Sequence, residues 1–268
     1  MTRKRRNITD RDVDRWIGQG FGQGEGDHYR AWFKVRDVPS EGRSSRYGAL
    51  RHKRTHQLLS DVESGHFLLA DFQPGVVEIR EQIALLPRDD TVRIANELGV
   101  KHPTYRGTRT PVVMTSDLWV DRNAVRMTPF VLCVKHESSL LPGAKALKRT
   151  IEKLAIERRY WRERGVSWRL VTQADLDHKV TTNLTLLRPR RSSWRSALAC
   201  KHAQSIAEAV QGSSRRGWTF RETLVRCARL EEAFDAFGLA VWKHMIALDL
   251  RSELRWEAPI RLINGGRL

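Results

Sequence analysis

Residues 114–139, MTSDLWVDRNAVRMTPFVLCVKHESS, decide the fold. The stretch contains two apolar runs, rich in β-branched and aromatic residues, with a polar segment between them. Runs of this kind predict a strand over Val112–Val120, a turn at Asp121–Asn123 and a second strand over Pro129–Val134. We therefore expect two neighbouring central strands.

Three side chains of this strand pair indicate a chemistry. Side chains at positions i and i+2 of a strand share a face, so Cys133 and Lys135 are predicted to lie side by side, while Asp117 lies on the first strand. A carboxylate that faces a lysine on the next strand is typical of metal-dependent nucleases. The carboxylate holds a hard divalent cation, which prefers oxygen ligands, and the lysine stabilises charge on the phosphate or on the attacking water.

The sequence on either side of this pair predicts a mixed α/β layer. Hydrophobic spacing predicts helices over Thr55–Leu69, Asp90–Leu98 and Ala144–Arg164, and strands over Val76–Leu86 and Val166–Thr172. Helices that alternate with strands in this way flank a sheet. At 268 residues, the chain is long enough for one large or two modest domains.

Further carboxylates lie in the flanking elements. Glu63 lies at the edge of the apolar face of the predicted helix Thr55–Leu69. From the helix alone, a surface residue is favoured over a metal ligand. Glu78 and Glu81, on the predicted strand Val76–Leu86, are expected to face solvent, with a role as reserve ligands as the alternative.

The first forty residues are predicted to form a basic, partly helical arm. Arg3–Arg6 would touch phosphate, and Thr9 can cap a short helix that ends near Ile17. The glycine-rich residues 18–26, GQGFGQGEG, are interpreted as a flexible linker. They are a weak match to a phosphate-binding loop, because no strand precedes them and no Gly-Lys-Ser/Thr follows.

Charge is the clearest global signal. The chain has 48 Lys and Arg against 31 Asp and Glu, a formal net charge of +17. This excess favours a polyanionic partner, most simply nucleic acid, and general solubility is the alternative. Arg51, Lys53 and Arg54 belong to a basic stretch that predicts either a DNA-facing patch or a solvated loop.

The cysteines and the apolar runs indicate a cellular compartment. Cys133, Cys200 and Cys227 form no CxxC pair, so neither a disulfide framework nor a structural zinc site is expected. The apolar runs are too short for a membrane span, and no signal-peptide pattern follows the basic start. We expect a cytoplasmic protein with reduced thiols and no membrane partner.

After residue 173 the sequence changes character. Residues 173–187 are predicted to form a helix or hinge, and the segment Arg188–Ser193 a basic linker. Helices are predicted over Trp194–Gln211, Thr219–Phe237 and Ala240–Ala247, followed by a small strand pair within Leu248–Ile263. This order predicts a small, mostly helical, winged-helix-like domain over residues 174–268, after a catalytic domain over residues 1–173.

Six segments together resemble one family. They are LLSDVESGHFLL (58–69), IREQIALLP (79–87), GVKHPTYRG (99–107), MTSDLWVD (114–121), FVLCVK (130–135) and EKLAIERRYW (152–161). In this order and spacing the chain resembles TnsA, the endonuclease subunit of heteromeric transposases, over most of residues 40–187. The resemblance implies a restriction-endonuclease-like mixed-sheet core, helices on its faces and a winged-helix-like domain after it. It also implies Mg²⁺-dependent cleavage of double-stranded DNA at the 5′ ends of a transposon, beside the DDE transposase TnsB and the AAA+ ATPase TnsC.

The resemblance also assigns roles to residues. It places the helix glutamate on Glu63, the strand aspartate on Asp117 and the lysine on Lys135. The family often has Gln two residues before the lysine, where this chain has Cys133. A thiolate is a soft ligand that Mg²⁺ avoids, so the backbone carbonyl of Val134 is the expected third ligand, with Mn²⁺ as a possible substitute cation.

A basic RNA-binding protein is disfavoured, because the sequence has no aromatic RNP-type strand and no GXXG clamp in a KH-like context. Two other functions remain open at this point. In the first, the chain is a DNA endonuclease in which Glu63 and Asp117 bind the cation, Lys135 assists and Gln82 positions the DNA backbone together with the basic residues near Arg51. In the second, it is a catalytically weakened DNA-binding adaptor with the same fold, which has lost cleavage through Cys133.

Overall fold

The computed structural model of the chain describes residues 8–33, 43–123, 128–214 and 216–263. The described residues form two compact units. The first lies within 1–47, 55–70 and 75–175, and the second within 48–54, 71–74 and 176–268. Two short segments of the N-terminal half therefore belong to the C-terminal unit, whereas the sequence predicts a single boundary at residue 173. Arg3–Arg6 of the predicted arm lie outside the described residues.

The described residues form the following helices and strands. The strands are β1 Ser45–Gly48, β2 Thr55–Leu58, β3 Val76–Ala84, β4 Thr115–Arg122, β5 Phe130–Val134 and β6 Ser167–Val171. The α-helices are α1 Asp10–Gly18, α2 Asp61–Phe72, α3 Arg88–Glu97, α4 Leu147–Glu163, α5 His178–Leu187, α6 Arg191–Arg195, α7 Ala197–Ser214, α8 Phe220–Val225 and α9 Leu230–Trp242. No helix in the described ranges is long and apolar enough to cross a bilayer.

The central sheet has the order β3-β4-β5-β6. The first three strands are antiparallel, and β6 runs parallel to β5 after the crossover helix α4. Leu118 pairs with Leu132 and Trp119 with Val131, so the two predicted central strands are neighbours. The strand β4 continues to Arg122, beyond the predicted start of the turn at Asp121, while residues 124–127 of the connection lie outside the described residues. The predicted mixed α/β core, followed by a mostly helical part, is confirmed.

Helices α3 and α4 cover one apolar region of this sheet. Ile94 on α3 and Ile156 on α4 are fully buried against Leu85 and Val131, and Trp161 closes the same cluster. Each such side chain contributes roughly 1.5–3 kcal/mol by leaving water. This packing holds α4 against β4, which carries Asp117, and against β5, which ends just before Lys135.

The N-terminal residues pack more closely than the sequence predicts. Thr9 caps α1 in a capping box with Asp12, as expected, but residues 18–26 are not a flexible linker. Gly22 has φ +69°, and a Cβ at this position would lie 2.3 Å from the Cβ of Ala84 on β3. The loop is held by a backbone hydrogen bond from Gly22 N to Arg30 O. The glycines therefore allow close packing on the sheet edge rather than flexibility.

The predicted helix Thr55–Leu69 was wrong in its first half. Residues 55–58 form β2, with alternating exposed and buried side chains, and α2 begins only at Asp61. Ser60 separates the two elements, because its hydroxyl oxygen accepts a hydrogen bond from the N–H of Glu63. Apolar residues at 58, 59 and 62 satisfy a strand end and a helix start equally well, and the capping serine decides between them.

The C-terminal unit is built mainly from α5, α7, α8 and α9. Helix α9 packs on α5 and α7, and Gly238 permits the contact with α5, since a Cβ there would lie 2.6 Å from the carbonyl oxygen of Leu187. Two predictions for this unit were wrong. The segment Arg188–Ser193, predicted as a basic linker, is structured, because Arg188 is nearly buried in an ion pair and α6 begins at Arg191. Of the predicted helix Ala240–Ala247, only residues 240–242 are helical, as the end of α9.

The last described segment forms isolated bridges instead of the predicted strand pair. Leu248 pairs with Leu262, and Thr219 pairs with Pro259. A single bridge between each pair of segments is too short to count as a strand.

Candidate active site

The ends of β4 and β5 bring Asp117 and Lys135 together. The ammonium Nζ of Lys135 lies 3.1 Å from Asp117 Oδ2 and donates to the carbonyl oxygen of Val134 at 2.8 Å. The backbone N–H of Val134 also donates to Asp117 Oδ2, at 2.7 Å. Lys135 itself is fixed by its backbone N–H, which donates to Val171 on β6. The two residues predicted to face each other across the strands are therefore in direct contact.

Glu63 brings a second carboxylate to the same region from the first turn of α2. The residue is 7% exposed, and its Oε2 accepts a hydrogen bond from the N–H of Leu59 at 2.8 Å. Burial and the nearby negative charge of Asp117 raise the pKa of Glu63 to about 8. Glu63 is thus a buried carboxyl group rather than the surface residue that its helix alone favours.

The lysine keeps its positive charge in this environment. Burial alone lowers the pKa of Lys135, but the Asp117 carboxylate, together with the negative groups behind the strand, raises it well above its ordinary value. An ammonium group at this position offsets part of the repulsion between Asp117 and Glu63.

Gln82 completes the site from β3. It is 3% exposed and has φ +50°, a left-handed conformation that a residue other than glycine rarely adopts. Its amide nitrogen lies 3.4 Å from Asp117 Oδ1, and its amide oxygen accepts from the hydroxyl of Thr115 at 3.2 Å. In the described residues Gln82 therefore contacts the carboxylate of Asp117, an interaction that the sequence analysis does not include.

Two glutamates predicted to face solvent are buried. Glu81 is 1% exposed and Glu78 is 8% exposed. Glu81 hydrogen-bonds His56 Nδ1 at 2.9 Å and accepts from the N–H of Gln57 at 3.2 Å, whereas Glu78 accepts from the N–H of Gly26. The simple alternation expected for β3 fails because β2 and the residue 18–26 loop cover its polar positions.

A fully buried carboxylate that the sequence analysis missed lies behind the site. Glu157 on α4 accepts hydrogen bonds from Ser116 Oγ at 2.7 Å, from Trp168 Nε1 at 3.0 Å and from Cys133 Sγ at 3.3 Å. These donors come from β4, β6 and β5. Burial raises the pKa of Glu157, while the charge of Lys135 acts in the opposite direction.

The thiol of Cys133 takes part in this inner network. Cys133 is fully buried, and burial together with the adjacent Glu157 raises the pKa of the thiol well above its ordinary value. A protonated thiol that donates to a carboxylate is not available as a thiolate ligand.

The basic residues predicted to contact DNA lie in the other unit. Arg51, Lys53 and Arg54 belong to the segment 48–54 of the C-terminal unit. The guanidinium of Arg51 forms an ion pair with Asp71, and its side chain is 22% exposed. Lys53 is exposed and Arg54 is half-buried.

The donor atoms around Asp117 suit a hard divalent cation. Carboxylate oxygens of Asp117 and Glu63 and the carbonyl oxygen of Val134 are the ligand types that Mg²⁺ prefers. The Lys135 ammonium already bridges two of these donors, so the pocket accepts positive charge. Within the described ranges no three His, Cys, Asp or Glu side chains are grouped as a metal site.

Comparison with known proteins agrees with this geometry. Residues 73–173, which contain β3 to β6, match the family described as TnsA-like endonuclease N terminal. The chain is also similar to the Escherichia coli protein named Transposon Tn7 transposition protein TnsA. The two are 35% identical over 211 residues, which cover 79% of this chain and 74% of that protein. At this identity and coverage, the chain belongs to the TnsA family of transposon endonucleases.

Proposed function

We propose that this endonuclease hydrolyses phosphodiester bonds at the 5′ ends of a transposon in a Mg²⁺-dependent reaction. The observation that carries the proposal is the contact of Asp117 with Lys135 at the ends of two adjacent strands, with the buried carboxyl of Glu63 close enough to feel the charge of Asp117. Glu63 on α2 therefore lies near the ends of β4 and β5, where Asp117 and Lys135 are in contact.

Each residue has a distinct role in the proposed reaction. Asp117, Glu63 and the carbonyl oxygen of Val134 would hold Mg²⁺, with Mn²⁺ as a substitute. The chemistry supplied by such a cation is activation of water and stabilisation of charge on the phosphate. Lys135 stabilises the negative charge that develops on the scissile phosphate, and Gln82 orients the carboxylate of Asp117 through its amide.

The reaction is proposed to take place in an assembly. The family resemblance supports a DDE transposase, TnsB, that cuts the 3′ ends, and an AAA+ ATPase, TnsC, that binds the C-terminal unit. We expect the winged-helix-like character predicted for that unit to serve partner or DNA contact. The bacterial cytoplasm, with DNA of the nucleoid as substrate, is the proposed location.

The decisive experiment compares two single-charge variants in cleavage of transposon-end DNA with the partner transposase. Asp117→Asn keeps the side-chain volume and removes a ligand charge, so 5′-strand cleavage with Mg²⁺ or Mn²⁺ should fall on the order of a thousandfold. Asp89→Asn, at an exposed position of α3, is the matched control and should cut normally. Cleavage by Asp117→Asn at the unaltered rate would refute the proposal.

The second candidate, a DNA-binding adaptor with weakened cleavage, is favoured by one observation. Cys133 is turned toward Glu157 and adds no oxygen ligand to the site. An adaptor would bind duplex DNA in a salt-sensitive manner and would nick DNA with neither Mg²⁺ nor Mn²⁺, even when the partner transposase is present.

A further inference from the structure

The C-terminal unit joins two basic segments that are far apart in the sequence. The segment 48–54 packs against α6, where Arg191 Nη1 donates to the carbonyl oxygen of His52 at 3.3 Å. The guanidinium of Arg51 lies 5.1 Å from the ring centroid of Trp194. The ammonium of Lys243, which follows α9, lies 4.3 Å from the same ring. Trp194 on α6 therefore contacts two other parts of the unit, the segment 48–54 and the residue that follows α9.

A buried ion pair fixes this junction. Asp71, whose side chain is 5% exposed, accepts from Arg51 and from Arg188, the latter at 2.9 Å. Arg188 also donates to the carbonyl oxygen of Gly48 at 2.9 Å. The carboxylate of Asp71 is thus used inside the unit, so it is not available to neutralise cations on the surface.

Cationic side chains accompany this junction at α6 and just after α9. Arg190, Arg191 and Arg195 are exposed, and Lys243 is half-buried. Among the residues that the structure describes, no carboxylate lies within ion-pair distance of these four side chains. We call this set, Arg190, Arg191, Arg195 and Lys243 around Trp194, the Trp194 surface.

We propose that the Trp194 surface binds the sugar–phosphate backbone of duplex DNA as a second DNA contact, made by residues other than those that cleave. Guanidinium groups bind phosphate in a bidentate manner. Trp194 is already in contact with two cations, Arg51 and Lys243, and its role is to hold them in place rather than to stack on an unpaired base. This favours a duplex backbone over single-stranded nucleic acid.

The experiment measures duplex affinity for two triple variants of the full chain. The test variant is Arg190→Gln, Arg191→Gln and Arg195→Gln. The control variant is Arg226→Gln, Arg229→Gln and Arg255→Gln, which removes the same charge from exposed positions of the same unit. Binding of a fluorescent duplex of about 30 base pairs is followed by anisotropy between about 50 and 200 mM KCl, a range over which phosphate contacts weaken strongly.

The expected result is specific to the Trp194 surface. The test variant should lose about tenfold or more in duplex affinity, and its slope of log K against log salt should be shallower by about 2–3, whereas the control variant should change less than about twofold. Equal affinity for the two triple variants overturns the proposal. So does retained duplex binding with loss of binding to single-stranded RNA or to a purified partner protein.

The proposal rests on DNA being the substrate, but the two can fail separately. At saturating protein, the test variant should cut at the wild-type rate, because none of its changes is in the cleavage site. Asp117→Asn should bind duplex like the wild type. Normal duplex binding by the test variant would contradict the proposal that the Trp194 surface binds DNA. Normal cutting by Asp117→Asn would contradict the proposed cleavage reaction.

Discussion

The thiol of Cys133 donates to the carboxylate of Glu157 across 3.3 Å, in the fully buried layer between β5 and α4. Two residues further along the chain, the Lys135 ammonium contacts Asp117. The position at which the family often has glutamine is therefore occupied here by a side chain that faces an inner carboxylate. In place of a polar glutamine, this chain has a buried cysteine that packs toward α4. Asp117 and Lys135 nevertheless remain in contact.

The first prediction concerns Cys133→Gln. Glutamine is larger than cysteine, and the site has no exposed area to accommodate it, so we expect a loss of about 1–3 kcal/mol in the free energy of unfolding. Chemical denaturation measures this loss. Cys133→Ser, which keeps a donor toward Glu157 and slightly reduces the side-chain volume, is the control and should be the less destabilised of the two. Equal stability of both variants would contradict the packing argument.

The second prediction concerns Glu157. Replacement by Leu leaves the donors on Ser116, Trp168 and Cys133 without their acceptor, which should destabilise the protein by about 3 kcal/mol. Glu157→Gln keeps one oxygen acceptor and should lose clearly less. Thermal unfolding of both variants gives the comparison. Glu163→Gln, at the end of the same helix, where the carboxylate pairs with Arg93 and Arg159, should cost at most about 1 kcal/mol. A loss there comparable to that of Glu157→Leu would argue against a special role for Glu157.

Much of the fold follows from the sequence. Where the apolar residues of a segment follow only the strand period or only the helix period, the sequence predicts a single type of element. The strand predicted over Val76–Leu86 and the helix predicted over Ala144–Arg164 are present as β3 and α4, although the burial of β3 does not alternate. Residues 55–69 contain two short elements whose apolar positions merge into one pattern. The fold of residues 18–26 depends on a contact with Ala84, which no local pattern encodes.

The site was predictable only in part, for a similar reason. Asp117 and Lys135 come from adjacent strands, so strand periodicity alone brings them together. Glu157 lies in the run ERRYW, where neighbouring arginines suggest a solvated face. Its spacing from Leu154 and Trp161 places it on the buried face of α4, and that spacing was the available signal.

The third prediction concerns Gly238→Ala. A Cβ at this position would lie 2.6 Å from the carbonyl oxygen of Leu187, which is backbone and cannot rotate away. Helices α5 and α9 must then separate, and we expect a loss of about 1–3 kcal/mol in the stability of the C-terminal unit. Hydrogen exchange of α9 measures it. Gly212→Ala on α7, where a Cβ meets nothing within 4 Å, is the control and should be neutral or slightly stabilising.

The last prediction concerns the pH dependence of Glu63→Gln in the absence of divalent cations. The pKa of Glu63 is about 8 in the folded protein against an ordinary value of 4.5. Between these values the folded state keeps a proton that the unfolded state releases, so this group makes the protein less stable as the pH rises from about 5 to 8. Glutamine cannot titrate, and its amide oxygen can still accept from Leu59.

Denaturant unfolding at pH 5 and pH 8 tests this directly. The variant and the wild type should differ by less than about 1 kcal/mol at pH 5, and the variant should be more stable by about 3–4 kcal/mol at pH 8. Saturating Mg²⁺ should remove most of that difference, because a cation that binds only the folded wild type stabilises it by about 2.7 kcal/mol at a hundred times its Kd. A stability difference that does not vary with pH would mean that Glu63 is ionised in the cation-free protein, and that it does not repel Asp117 as the buried geometry requires.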